Sequence, residues 1–156
     1  MVSEYLPGAE YAVQTFWVEG QLVHSQARER VVHFFANVMP SEQSSTPAVA
    51  RTVSEPDVYE TAYKAIKAFE PDPHGIYCVD LRRNHEGLPF PTEINYGRFF
   101  TTSDFFATLG VNTPAAYIDY MTTGYWASLI ETLTDDIYWL RGLDREPFLV
   151  HGRAFE

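Results

Sequence analysis

The chain has 156 residues, 46% hydrophobic and 15% aromatic, with a formal net charge of -10 at pH 7. That length predicts one domain with a real core, and no run of roughly 18 apolar residues reads as a membrane span. The acidic balance argues against a nucleic-acid partner, because phosphate backbones are bound by basic surfaces that release counterions. Cys78 is the single cysteine, so no internal disulfide can form, and no basic segment leads into an apolar one near the start. Cytoplasm is the expected compartment, with no membrane partner.

Residues 10–18, rich in Tyr, Val, Thr, Phe and Trp, read as a strand; Glu19-Gly20-Gln21 reads as a turn, and residues 22–36 resume the strand pattern. Residues 39–47 shift to Ser, Glu, Gln and Pro and read as a surface loop. Ser54 is the expected cap of a helix, with Asp57 as its reciprocal partner, and Pro56 is tolerated that early. Val58, Ala62, Ile66 and Phe69 would form its buried stripe, and Pro71 and Pro73 would end it. Gly75 opens a second hairpin, 76–82 and 90–95, joined by Asn84-His85-Glu86-Gly87.

Two short helices are predicted next, one near Thr102-Ser103 and one where a Thr113 cap precedes Pro114, with Gly124 closing the second. Ile137-Tyr138-Trp139-Leu140 and Phe148-Leu149-Val150, around Asp144-Arg145-Glu146-Pro147, read as a terminal strand pair. The predicted class is α+β: a mostly antiparallel sheet with helices packed on one face. A single domain over residues 1–156 would comprise a core lobe, 1–127, and a C-terminal helix and strand extension, 128–156.

The second hairpin carries the chemistry. Residues two apart on a strand share a face, so Glu93 and Asn95 point one way and Ile94 the other, and the hairpin brings Asp80 beside them. Three converging oxygen-bearing side chains suit magnesium, which takes hard oxygen ligands and completes its shell with water and nucleotide phosphates. The plainer alternative has Asp80 capping a turn or pairing with Arg82 or Arg83, and Glu93 facing solvent. Arg28 and Arg30 also share a strand face, where guanidinium forks suit oxyanions, although alternating Arg and Glu equally describes a solvated face. The five histidines make no zinc set with a lone cysteine, and His24 and Ser25, as strand neighbours, face opposite ways and form no catalytic pair.

A strand bearing Asp80, a turn, and Glu93-Ile94-Asn95 followed by Arg98 resembles the metal-binding segment of the ATP-grasp superfamily, shared by carbamoyl phosphate synthase large subunits, biotin carboxylases and D-alanine ligases. Ser3-Glu4-Tyr5-Leu6-Pro7-Gly8-Ala9-Glu10 resembles that family's hinge strand. The resemblance implies magnesium, with manganese as an alternative, on Asp80, Glu93 and Asn95. It also implies ATP with its adenine beside Tyr5 and Leu6 and its ribose on Glu10. Arg98 and the pair Arg28 and Arg30 are the implied phosphoryl or substrate ligands. Tyr96-Gly97 lengthen the usual interval before the arginine, and Ser3 stands where many relatives carry an acid for the adenine amino group.

The resemblance covers only the C-terminal half of such a core. Its usual upstream lobe supplies a glycine-rich phosphate loop and lysines, whereas Lys64 and Lys67 fall on the predicted helix and read as solvated residues. The implied activity is ATP-dependent ligation, in which a carboxylate or bicarbonate becomes an acyl phosphate that an amine or ammonia attacks. The subtype nearest to this pattern is carbamoyl phosphate synthase-like. The half would need the missing lobe in cis or trans and would be incomplete, and inactive, alone. A homodimer would cover the face that lobe leaves exposed. The alternative is a non-catalytic module for assembly or weak nucleotide binding.

Overall fold

The computed structural model describes residues 3–35, 46–126 and 133–152. A nine-residue strand β1 (Glu10–Val18) turns through Glu19 and Gly20, both at positive φ, into the long β2 (Gln21–His33). β3 (Pro47–Thr52) follows, then α1 (Pro56–Phe69), β4 (Gly75–Arg83) and β5 (Pro89–Tyr96). The chain continues through α2 (Ser103–Thr108), α3 (Thr113–Thr123), β6 (Ile137–Leu140) and β7 (Phe148–His151). The seven strands form one sheet in the order β5-β4-β1-β2-β3-β6-β7, and every pairing is antiparallel.

β1 is central, so both of its faces are covered and residues 11–17 are all buried. Tyr11, Val13 and Trp17 join Tyr77, Val79 and Leu81 against Val58, Ala62 and Ile66 of α1. On the opposite face Ala12 and Cys78 pack with Phe100, Phe105, Phe106, Val111, Ala50, Ile137 and Trp139. The architecture is therefore α+β, with α1 on one face as expected. The aromatic pair of α2 occupies the other, because a central strand that is apolar in both registers must be covered twice.

β3 was not anticipated from the sequence, and the loop expected over residues 39–47 ends in it at Pro47; residues 39–45 of that loop, and Ala36 at the end of the expected second strand, lie outside the described residues. The expected division at 127/128 also lies outside them. β6 pairs directly with β3, and the Trp139 ring stacks on Phe105 at 5.6 Å, which ties the last strands into the core.

Thr102 precedes α2 and Gly124 closes α3 as expected, whereas the starts of α1 and α3 lie one residue from the expected caps. The residue before α1 is Glu55, not Ser54, and no side chain caps it. Arg83 of β4 fixes that end instead: its guanidinium bonds Asp57 at 2.6 Å, pairs with Glu55 and lies over the Tyr11 ring. The cap of α3 is Asn112 rather than Thr113, its Oδ1 accepting from the Ala115 amide at 3.1 Å. Phe69 is 65% exposed, because Glu70 already ends the helix beside it. Lys67 is more engaged than a solvated residue, donating to the Gly20 and Pro71 carbonyls and lying over Trp17.

The segment before β1 enters the sheet at one close approach. The Gly8 amide donates to the Arg83 carbonyl at 2.9 Å, and a Cβ on Gly8 would sit 2.7 Å from that oxygen and 2.7 Å from the Arg83 Cβ. Gly8→Ala should therefore lower stability by about 1–3 kcal/mol, measured by urea denaturation; an unchanged midpoint would show that the approach can relax freely.

Candidate functional site

The strand register assembles the expected residues on the sheet face opposite α1. Asp80 lies opposite Glu93, and Cys78 opposite Asn95. Across β1, Asp80 and Arg28 both flank Ala12, while Arg82 and Arg30 both flank Glu10. Two cross-strand rows result, one running Arg28-Ala12-Asp80-Glu93 and the next Arg30-Glu10-Arg82.

A cavity of about 60 Å³ beside the first row is lined by Arg28, Arg30, Cys78, Asp80, Glu93, Asn95 and the 98–101 segment. All three expected metal ligands and all three expected arginines thus meet at one place. Glu93 is exposed, Asn95 half-buried and Asp80 nearly buried, so Glu93 and the exposed Arg98 form the open rim and Arg28 and Arg30 the inner wall.

The two arginines of β2 differ sharply. Arg30 is engaged: it pairs with Glu10, and its Nη2 donates to Asp80 Oδ1 at 2.9 Å. His33 Nε2 lies 3.4 Å from the other oxygen of Glu10, and Arg82 Nε lies 3.7 Å from it. Asp80 therefore pairs with neither Arg82 nor Arg83, its nearest basic neighbours in sequence. Burial opposes charge on Arg30, but Asp80 and Glu10 outweigh it and hold its pKa above the ordinary value.

Arg28 feels the charges of Asp80 and Glu10 but forms no ion pair with either. It is 1% exposed, and its Nε and Nη1 have no hydrogen-bond partner. Its carbon Cζ lies 5.0 Å from the centroid of the Phe100 ring. Burial, aided by the like charge of Arg30, pushes its pKa down to about 9, which still leaves it charged at neutral pH. Burial also pushes the Cys78 thiol up to about 12.

The remaining expected residues lie elsewhere. Tyr5 is 72% exposed and Leu6 half-buried, and neither lines the cavity. Glu10, expected on a ribose, is already in the ion pair with Arg30. Two contributors went unrecognised in the sequence. No sequence pattern marks Phe100, while Gln14 gives one signal, a glutamine inside an apolar strand. The buried Gln14 accepts the Phe100 amide through Oε1 at 2.6 Å, fixing that ring over Arg28.

Among the described residues no group of three or more His, Cys, Asp and Glu could hold a metal, so the candidate set depends on the Asn95 amide as its third donor. A second, larger cavity of about 440 Å³ opens where β2 runs past β3, lined by His24, Ser25, Tyr59 and Tyr63 among others. Ser25 Oγ and the Tyr63 hydroxyl lie 2.5 Å apart, and burial lowers the His24 pKa. Among the described residues no helix is long and apolar enough to cross a membrane.

No protein-family model and no curated protein matches the chain. Solved structures do. An L-amino acid ligase from Bacillus licheniformis superposes with a TM-score of 0.63 at 14% identity, over 86% of this chain and 33% of the ligase. A putative ATP-grasp superfamily protein from Archaeoglobus fulgidus gives 0.56 at 19% identity, over 88% of this chain and 40% of the other. The fold is an ATP-grasp fold, and this chain spans well under half the length of either neighbour, as expected of a half-core.

Removing Arg30 would leave the Glu10 and Asp80 carboxylates facing each other with little water to screen them. Arg30→Met should cost about 3 kcal/mol or more, with little change as salt is added; a loss that vanishes in salt would mean the pair is effectively solvated. His24 supplies a pH test. A histidine whose folded pKa lies below its unfolded value stabilises the fold fully above about pH 6.5, and that contribution is lost as pH falls through the folded pKa. His24→Gln should flatten the stability profile below pH 6.5, and an unchanged profile would place the titration elsewhere.

Proposed function

We propose that the chain is the nucleotide-phosphate and metal half of an ATP-grasp ligase. The reading rests on the register that sets Asp80 opposite Glu93, with Asn95 two residue pairs along on the same face, beside a cavity walled by arginine. Two carboxylates and an amide are hard oxygen donors, and they are few. That fits magnesium, which is commonly held by one or two protein carboxylates plus water and phosphate oxygens. Manganese would fit the same set. When bound, the ion would neutralise charge on the phosphoryl oxygens.

The protein's own part is positional. Arg30 holds Asp80 toward the rim, and Arg98, on the exposed segment after β5, reaches the cavity from the side opposite β2. In this reading Arg98 meets the transferred phosphoryl group or the substrate, while Tyr5 and Leu6 flank the adenine. The Glu10 carboxylate would serve the ribose only by sharing itself with Arg30. Charge stabilisation by groups fixed in advance is the main contribution a protein makes to phosphoryl transfer.

The reaction class is activation of a carboxylate or bicarbonate as an acyl phosphate, followed by attack of an amine or ammonia. The L-amino acid ligase among the similar structures supports a ligase; the carbamoyl phosphate synthase-like subtype rests on motif resemblance alone. The half requires its complementary lobe, in cis or trans, and a homodimer would cover part of the apolar surface left at Ile118, Met121 and Tyr125. The proposed compartment is the cytoplasm, and the net charge of -10 disfavours a nucleic-acid partner.

Titration of Mn2+ with ADP into the chain, followed by calorimetry and by the Mn2+ resonance signal, should show binding that Asp80→Ala and Glu93→Ala each weaken at least about tenfold, or 1.4 kcal/mol. Absence of binding at millimolar ligand, or binding unchanged in Glu93→Ala, would overturn the metal assignment.

A further inference from the structure

The larger cavity lies away from the carboxylate hairpin, along the part of β2 that β3 does not reach. β3 pairs with β2 only from Arg28 onward, and the Val53 amide closes that pairing on the Ala27 carbonyl at 3.4 Å. Beside residues 22–26 of β2 the described residues place no further strand on that edge. About 440 Å³ opens there against Val53, Ser54 and two tyrosines of α1, Tyr59 and Tyr63. Sites for small organic molecules span roughly 300–1,000 Å³.

The lining differs in kind from that of the arginine cavity. Among the described residues around it there is no Asp, Glu, Lys or Arg. Burial lowers the His24 pKa and raises those of Tyr59 and Tyr63, so at neutral pH the imidazole is uncharged and both phenols keep their protons. An ion entering this space would lose its water and meet no opposite charge. The walls therefore select a neutral molecule.

The hydrogen-bonding groups left over are donors. Gln26 is 1% exposed, and its Oε1 lies 3.4 Å from His24 Nε2, yet its Nε2, with two hydrogens, has no partner. A buried amide without an acceptor is costly, and a ligand that supplies one recovers that cost. Ser25 Oγ and the Tyr63 hydroxyl share one hydrogen across 2.5 Å, which leaves the second for an outside acceptor. Tyr59 is committed, since its hydroxyl donates to the Val53 carbonyl at 3.4 Å. Ser25 and Gln26 are strand neighbours and face opposite ways, so the two sets of donors stand on opposite sides of the β2 edge. The Tyr59 and Tyr63 rings, 6.0 Å apart and tilted by 52°, add aromatic faces beside Leu22 and Leu133.

We propose that this cavity binds a small, neutral, planar ring compound carrying two hydrogen-bond acceptors. One acceptor meets the Gln26 amide and the other the Ser25 and Tyr63 hydroxyls, while the ring lies against the tyrosines. The site is separate from the carboxylate hairpin, shares no lining residue with the arginine cavity, and requires neither nucleotide nor metal.

The test titrates the whole chain, without nucleotide or metal and at neutral pH, with nicotinamide and with uracil, two neutral planar rings that each carry two acceptors. Nicotinate, an anion of nearly the same shape as nicotinamide, is the charged comparison. At least one neutral probe should move the Gln26 side-chain amide and Ser25 backbone amide resonances saturably at millimolar concentration, and nicotinate should bind at least about tenfold more weakly than nicotinamide or not at all. Gln26→Leu and Tyr63→Phe should each weaken the neutral probe by about fivefold or more. The wild-type resonances locate the site whether or not either variant folds. Absence of shifts with both neutral probes, nicotinate binding as tightly as nicotinamide, or a folded Gln26→Leu protein that binds like the wild type would overturn the proposal. Because no metal or nucleotide is present, failure of the metal assignment leaves this result unaffected.

Discussion

One ion-pair cluster organises the functional face of the sheet. Arg30 on β2 reaches past β1 to Asp80 on β4 and, on the way, neutralises Glu10. Three strands are tied by one guanidinium at a place where water is largely excluded. Without that cation the two acids could not lie so near each other while mostly buried, and Asp80 would have no fixed orientation toward Glu93. The metal site proposed on the β4–β5 hairpin would therefore depend on a strand two places away.

This arrangement separates two situations within a single residue type. Opposite charges that satisfy one another contribute to folding, whereas a buried cation not so satisfied burdens the fold. Arg28 and Arg30, two residues apart on one strand face, illustrate the two cases. Their sequence environment is nearly the same, and the difference comes from what lies across β1: Ala12 opposite Arg28, Glu10 opposite Arg30.

Much of the fold was legible because alternation and turn residues are local signals. β1, β2, the second hairpin, the final strand pair and all three helices follow from them, and the Glu93-x-Asn95 spacing alone placed two donors on one face. What was illegible depended on partners distant in sequence. β3 is short, and its pairing with β2 and β6 is what makes residues 47–52 a strand. The start of α1 differs because Arg83, brought in by the sheet, anchors Glu55 and Asp57 there while no side chain caps the helix. No local pattern could show that Arg30 is engaged and Arg28 is not, or that Phe100 roofs the cavity, since each depends on registry across three strands or on the bond from Gln14, 86 residues away.

Ala12 has a meaning beyond this molecule. It is fully buried in the middle of the central strand, where a larger aliphatic residue would ordinarily be the better core residue. It pairs with Arg28 on one side and with Asp80 on the other, so the two charges are held apart by a position carrying no chemistry of its own. A valine or leucine there would leave every charged residue in place in the sequence while crowding the buried ground between them. A comparison of charged residues alone would therefore miss a change that matters to this face of the sheet.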